Sequence, residues 1–167
     1  MIQLRNATPE DLPLLLHWDN QPHVIDSDPD DDWNWEYELA RNPPWREQLM
    51  ATLDERPIGF VQIINPAQEE SHYWGDIGEG YRAVDIWIGE AKYLGKGYGT
   101  VMMQLSLNKC FASPDVMAVL IDPLASNTRA IRFYERIGFT FIEDRVFGSS
   151  NCKVYSISRE NWILRYQ

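Results

Sequence analysis

Three glycines at alternate positions, Gly95, Gly97 and Gly99 in YLGKGYGT, stand between the apolar stretch AVDIWIG and a helix-like run. A helix start offers amide groups with no intrahelical acceptor, at the positive end of the helix dipole. A strand that enters a glycine turn and then a helix therefore makes an anion cradle, and glycine lets the backbone approach a phosphate with no Cβ in the way. Lys96 and Thr100 add a cation and a hydroxyl, and Tyr98 opens the helix. The spacing fits neither G-x-G-x-x-G nor a P-loop, which removes both familiar nucleotide motifs.

Four further groups could do chemistry. Asp85 is the polar exception inside AVDIWIG, and burial there would raise its pKa toward that of a useful base. Asp122 ends the apolar run VMAVLID before Pro123; it is either a ligand contact at a strand C-terminus or plain Asp-Pro turn chemistry. Asn127, Ile131 and Tyr134 fall at i, i+4 and i+7, so one helix stripe could turn an amide, an aliphatic side chain and a phenol toward one ligand, or Tyr134 could belong to the core. DSDPDDDWNWEYE interleaves carboxylates, Glu36 among them, with Trp33, Trp35 and Tyr37, and SHYWGDIGE repeats the mixture with His72, Tyr73 and Trp74. Each is either a solvated charge run or a pocket wall that attracts ammonium groups and stacks on them. His72 is a contact or an alternative base, whereas His17 and His23 read as surface or helix-edge residues.

These groups need elements to hold them. IQLR reads as a strand, and ATPEDLPLLLHW as a helix capped by Thr8 with Leu12, Leu15 and Leu16 on its inner face. A second helix is expected at the end of 26–39. QLMATLDERPIGFVQIIN is a hairpin, and 66–82 an irregular loop. The strand AVDIWIGE leads to the glycine turn, a helix from Tyr98 to Ala112, a buried strand VMAVLID, and a helix with Ser126 as N-cap and Gly138 as its C-terminal stop. FTFIEDRVFGSSNCKVYSISRENW reads as a closing hairpin turning at GSSN. The fold class is α/β with a mixed sheet and helices on both sides.

At 167 residues and 44% hydrophobic content one domain, 1–167, is expected. A net charge of −10 repels phosphate backbones, which argues against a nucleic-acid partner and favours cations. Cys110 and Cys152 are too few and too far apart for a disulfide framework or a zinc knuckle, and the three histidines lack ligand spacing, so no metal is expected. The start MIQLRNATPEDL lacks the order of a signal peptide and no apolar run is long enough for a membrane span, so a cytoplasmic protein with no membrane partner is expected.

LGKGYGT resembles the pyrophosphate loop of the GNAT superfamily of acetyl-coenzyme A-dependent N-acetyltransferases, Gln or Arg, two residues, Gly, any residue, then Gly or Ala. Gly97 and Gly99 fill the small positions, and Leu94 stands where the superfamily usually has Gln or Arg. DPLASNTRAIRFYERIGF resembles its N-x-x-A-x-x-x-Y-x-x-x-G-F region through Asn127, Ala130, Tyr134, Gly138 and Phe139. Together with VDIWIGE, the stretch is similar to the branch that holds aminoglycoside 6′-N-acetyltransferases and siderophore lysine N-acyltransferases.

The resemblance implies a mostly antiparallel central sheet with helices on both faces. It implies acetyl-coenzyme A as cofactor, held by the backbone of Ile86, Trp87 and Ile88, by residues 95–100, and by Asn127, Ala130 and Tyr134. Asp85 would be base or substrate anchor, and Tyr134 the general acid. Trp33, Trp35, Glu36, His72, Tyr73, Trp74, Asp85 and Asp122 would face the acceptor. The implied reaction is acetyl transfer to an amine of a small polycation, an aminoglycoside, by direct attack in a ternary complex of a monomer or homodimer. Acylation of a siderophore-type lysine or a protein amine, and a silent coenzyme A-binding domain, are the alternatives.

Overall fold

The computed structural model describes residues 1–167. Seven strands, β1 (Ile2–Asn6), β2 (Arg46–Leu53), β3 (Arg56–Ile64), β4 (Tyr81–Ile88), β5 (Ala118–Ile121), β6 (Thr140–Phe147) and β7 (Ser150–Ser158), form one sheet in the order β1-β2-β3-β4-β5-β7-β6. β1 and β2, β5 and β7, and β6 and β7 run antiparallel, while β4 and β5 are parallel, so the sheet is mixed. The expected loop 66–82 stops at Gly80, because Tyr81 and Arg82 are drawn into the ladder opposite Ala118 and Val119. Six helices accompany the strands: α1 (Leu12–Asp19), α2 (Pro22–Ser27), α3 (Trp35–Glu38), α4 (Tyr98–Ala112), α5 (Thr128–Ile137) and α6 (Arg159–Tyr166). The chain divides into two compact units.

The first unit holds residues 1–63 and 85–106. Its core is Leu15, Trp18, Trp35, Leu39, Met50 and Phe60, with Trp33 and Trp87 packed against it. Thr8 caps a 3-10 turn over Pro9–Asp11 instead of α1 itself. The Asp11 carboxylate takes the Thr8 amide at 2.8 Å and both guanidinium nitrogens of Arg5 at 2.9 and 2.7 Å. α1 then starts at Leu12, with Pro13 in its first turn where no N–H is missed. The buried stripe is Asp11, Leu15 and Trp18; Leu16, expected inside, is 48% exposed. Trp18 packs so closely on the end of β4 that a Cβ on Gly89 would lie 2.0 Å from its ring. The β2–β3 hairpin turns through Asp54 and Glu55, both at positive φ (48° and 72°), as a two-residue turn with the strand twist demands.

The second unit holds residues 64–84 and 107–167. β5 is buried along most of its length between β4 and β7. α5 is capped by Asn127, whose side-chain oxygen accepts from the Ala130 amide at 3.2 Å, and not by Ser126 as the sequence suggested. Gly138 ends it at φ 120°, its amide bonded to the carbonyls of Tyr134 and Glu135. The closing hairpin turns through Gly148 and Ser149, narrower than GSSN, and it stops at Ser158. There Ser158 accepts from the Asn161 amide and starts α6, a helix where the sequence predicts the end of the hairpin. Arg159 donates to the carbonyls of Phe111, Ser113 and Val116, which ties α6 to the end of α4 and the turn after it.

Candidate functional site

Side chains alternate along β4, so Asp85 and Trp87 share a face. On the neighbouring strands that face carries Phe60 and Gln62 of β3 and Gln48 and Met50 of β2. The Phe60 and Trp87 rings are 4.6 Å apart, Trp33 lies 5.0 Å from Trp87, and Trp33 stacks on Trp35 at 5.1 Å with planes only 7° apart. The wall is thus aromatic, and Asp85 is the carboxylate set into it. Burial pushes the Asp85 carboxyl up to about 7, the nearby charge of Asp31 adds to this, and a hydrogen bond from Gln62 at 3.5 Å opposes it. A carboxylate held near neutrality can take a proton from an amine and still be ionised at the start.

The acidic run around this wall divides by chemistry. Glu38 is bonded to Arg41 and Arg46 and its pKa is lowered despite burial, so it belongs to the scaffold. Asp19 is raised by burial and by the charges of Asp31 and Asp32, while it accepts the Trp35 indole N–H at 2.8 Å. Asp31, Asp32 and Glu36 are exposed. Trp35 is only 3% exposed, a core residue backing the half-buried Trp33 and not itself a free pocket face. Ile86 and Ile88 lie on the other side of β4, where the Ile88 carbonyl is 2.8 Å from His23 Nε2 and the Gly89 amide donates to the Ile58 carbonyl. His23, read from sequence as a surface or helix-edge residue, is therefore a clamp on the end of β4. Pro22 at the start of α2, a helix not expected from the sequence, is the signal for it.

After β4 the chain makes a 3-10 turn at Ala91–Tyr93 and reaches the glycines. Gly95 and Gly97 sit at φ 71° and 83°, and nothing lies within 4 Å of where either Cβ would be. The first helical amide bond of α4 is from Val101 to the Gly97 carbonyl, so the amides of Tyr98, Gly99 and Thr100 have no acceptor within the helix. Lys96 is exposed beside them, and Leu94 is half-buried. An open, left-handed glycine backbone leading into unpaired helical amides fits a diphosphate.

In the second unit Tyr134 is 9% exposed, with Phe133 and Phe139 rings 5.3 and 5.9 Å away. Asn127 spends its side-chain oxygen on the Ala130 amide, which makes both of them parts of the α5 cap. Asp122 is half-buried just after β5. His72 (φ 53°) and Tyr73 are exposed in the loop. Trp74, expected to face the acceptor, is instead 3% exposed: its ring packs on Phe147 at 5.0 Å, beneath the Arg145 guanidinium, which also donates to the Trp74 carbonyl. The loop itself is organised by buried Glu69, which accepts from the amide and the hydroxyl of Ser71.

Residues 7–147 match the acetyltransferase (GNAT) domain family. The chain belongs to the GNAT acetyltransferase family. It is 30% identical over 152 residues to the aminoglycoside N(6′)-acetyltransferase type 1 of Klebsiella pneumoniae, covering 83% of this chain and 73% of that one. It is 25% identical to the lysine N-acyltransferase MbtK of a Mycobacterium species, over 93% of this chain and 66% of that one. The crystal structure of aminoglycoside acetyltransferase AAC(6′)-Ib with coenzyme A and kanamycin is similar over the full length of both chains, with a TM-score of 0.88 and 26% identity. The GNAT match runs through both compact units, and no helix of the chain is long and apolar enough to cross a membrane.

Proposed function

We propose that this acetyltransferase uses acetyl-coenzyme A to acetylate an amine of an aminoglycoside, in the manner of the 6′-N-acetyltransferases it is similar to. The observation that carries the reading is Asp85, a carboxylate near neutral pKa set among Trp33, Phe60 and Trp87, with Asp31 adding negative charge. Carboxylates beside aromatic faces take ammonium groups carried on sugar rings.

In this reading the whole chain, 1–167, works as one domain in the cytoplasm, where acetyl-coenzyme A is made and used. Acetyl-coenzyme A supplies an acetyl group already activated as a thioester. Gly95 to Thr100 bind its diphosphate through backbone amides, with Lys96 as counter-charge and no help from Leu94. Backbone groups of Ile86, Trp87 and Ile88 orient the thioester carbonyl, and Asn127 and Ala130 hold the start of α5 for it. Asp85 accepts the proton of the attacking amine, and the Tyr134 phenol returns one to the departing sulfur. Trp33 stacks on the acceptor, Trp35 braces it from behind, and Glu36, His72, Tyr73 and Asp122 meet its outlying polar groups.

Free-thiol release decides the matter: kanamycin with acetyl-coenzyme A is expected to release coenzyme A and yield a singly acetylated product by mass spectrometry. Release with N6-hydroxylysine derivatives and not with kanamycin would favour the lysine N-acyltransferase reading, which the match to MbtK supports. Coenzyme A binding with no release for any amine would identify a silent domain.

A further inference from the structure

Gln48, Gln62 and Asp85 occupy three successive strands, and their polar ends form a chain. Gln48 Nε2 donates to Gln62 Oε1 at 3.1 Å, and Gln62 Nε2 donates to Asp85 Oδ2 at 3.5 Å. All three side chains are half-buried. A primary amide has a donor at one corner and an acceptor at the other, so which corner meets a neighbour is decided by its other partners. Gln48 decides it here: with its NH2 group on the Gln62 oxygen, only the Gln62 NH2 group is left for the carboxylate. An ionised carboxylate can only accept, whereas a carboxylic acid has an O–H to give. With both bonds reversed, Asp85 O–H would donate to Gln62 Oε1 and Gln62 Nε2 to Gln48 Oε1, the arrangement that suits the protonated form and that the Gln48 NH2 group, as placed, opposes.

We propose that Gln48 and Gln62 are positioning residues for Asp85: Gln48 holds the Gln62 amide with its NH2 group toward the carboxyl, and that donor favours the ionised form. Its mechanistic value rests on the reading of Asp85 as proton acceptor: the held donor keeps the carboxyl ionised until an acceptor N–H bond breaks and an O–H bond forms at Asp85. The donor direction in the structure serves an ionised carboxylate, which can only accept. The charged group that faces Asp85 is Asp31, from the segment between α2 and α3; Phe60 and Trp87 on the same sheet face carry no charge.

The test needs no bound acceptor. Carbon-13 NMR of carboxyl-labelled aspartate in the full chain, with the Asp85 signal assigned by its loss in Asp85→Asn, gives the titration midpoint directly. Gln62→Met, of similar length but with no donor, is expected to raise the midpoint by about one pH unit. Gln48→Met is expected to raise it by less, because the freed Gln62 amide can then turn its oxygen to the protonated carboxyl. Adding Gln48→Met to Gln62→Met is expected to change nothing further. Gln62→Asn, which keeps an amide but withdraws it by one methylene, is the second variant should Met disturb folding, and the midpoint is expected to rise with it also. An unmoved midpoint in the Gln62 variants overturns the proposal, and an unmoved midpoint in Gln48→Met overturns the part assigned to Gln48. If the midpoints move as expected while no amine is acetylated, the amide pair stands and the proposed function falls.

Discussion

Asp85 has a carboxyl that burial raises from the usual aspartate range to about 7, and this shift has a sign in both activity and stability. A base works when ionised, so kcat/KM for the acceptor is expected to climb with pH through about 7 and level off above it. Asp85→Asn is expected to abolish that limb and lower kcat/KM by about a hundredfold or more, read from steady-state pH profiles. A raised carboxyl pKa stabilises the fold below the unfolded value, near 3.9, and that contribution is lost as pH rises through about 7. Asp85→Asn should therefore melt higher than the parent protein at pH 8, with the gap closing toward pH 4. Tyr134 calls for a different measurement. Tyr134→Phe keeps the ring packed between Phe133 and Phe139, so coenzyme A affinity by calorimetry should hold while turnover falls by about a hundredfold. An undiminished turnover, with chemistry shown to be rate-limiting, removes Tyr134 as the acid.

Two glycines at the element scale separate a functional requirement from a packing one. Gly97 needs its left-handed φ of 83° but has open space around it. Gly97→Ala is expected to cost about 1–2 kcal/mol in a denaturant titration, and to weaken coenzyme A binding several-fold as the turn shifts. Gly89 meets the Trp18 indole at 2.0 Å, and Gly89→Ala should cost on the order of 3 kcal/mol or more, with a lower melting point even in the absence of ligands. The difference also shows what sequence can and cannot disclose. The strand, glycine turn and helix over 83–112, the β2–β3 hairpin and α5 were legible because turn residues and apolar period agree there. α2 and α6 were not, since each is short and takes its place through contacts distant in sequence: His23 on the Ile88 carbonyl, Arg159 on the end of α4. The same limit applied to Trp35 and Trp74, which have the composition of a binding surface and the position of a core. Residue type cannot distinguish the two when the deciding contacts are to Asp19 and to Phe147.

For the whole molecule, a net charge of −10 surrounds a site proposed to take a polycation on one side and an anionic cofactor on the other. The field should draw in the first and repel the second. Raising ionic strength from about 0.05 to 0.5 M should therefore increase KM for kanamycin several-fold and leave KM for acetyl-coenzyme A unchanged or lower. A kanamycin KM indifferent to salt would remove long-range attraction from the account. The aromatic wall makes such titrations simple to follow. Of the seven tryptophans, Trp18 and Trp74 are sealed from water, while Trp33 and Trp87 are partly open and touch both the packed interior and the acidic face. An acceptor that settles on that face strips water from those two indoles, so intrinsic fluorescence, with its blue-shift on drying, should report occupancy of the protein with no dye attached.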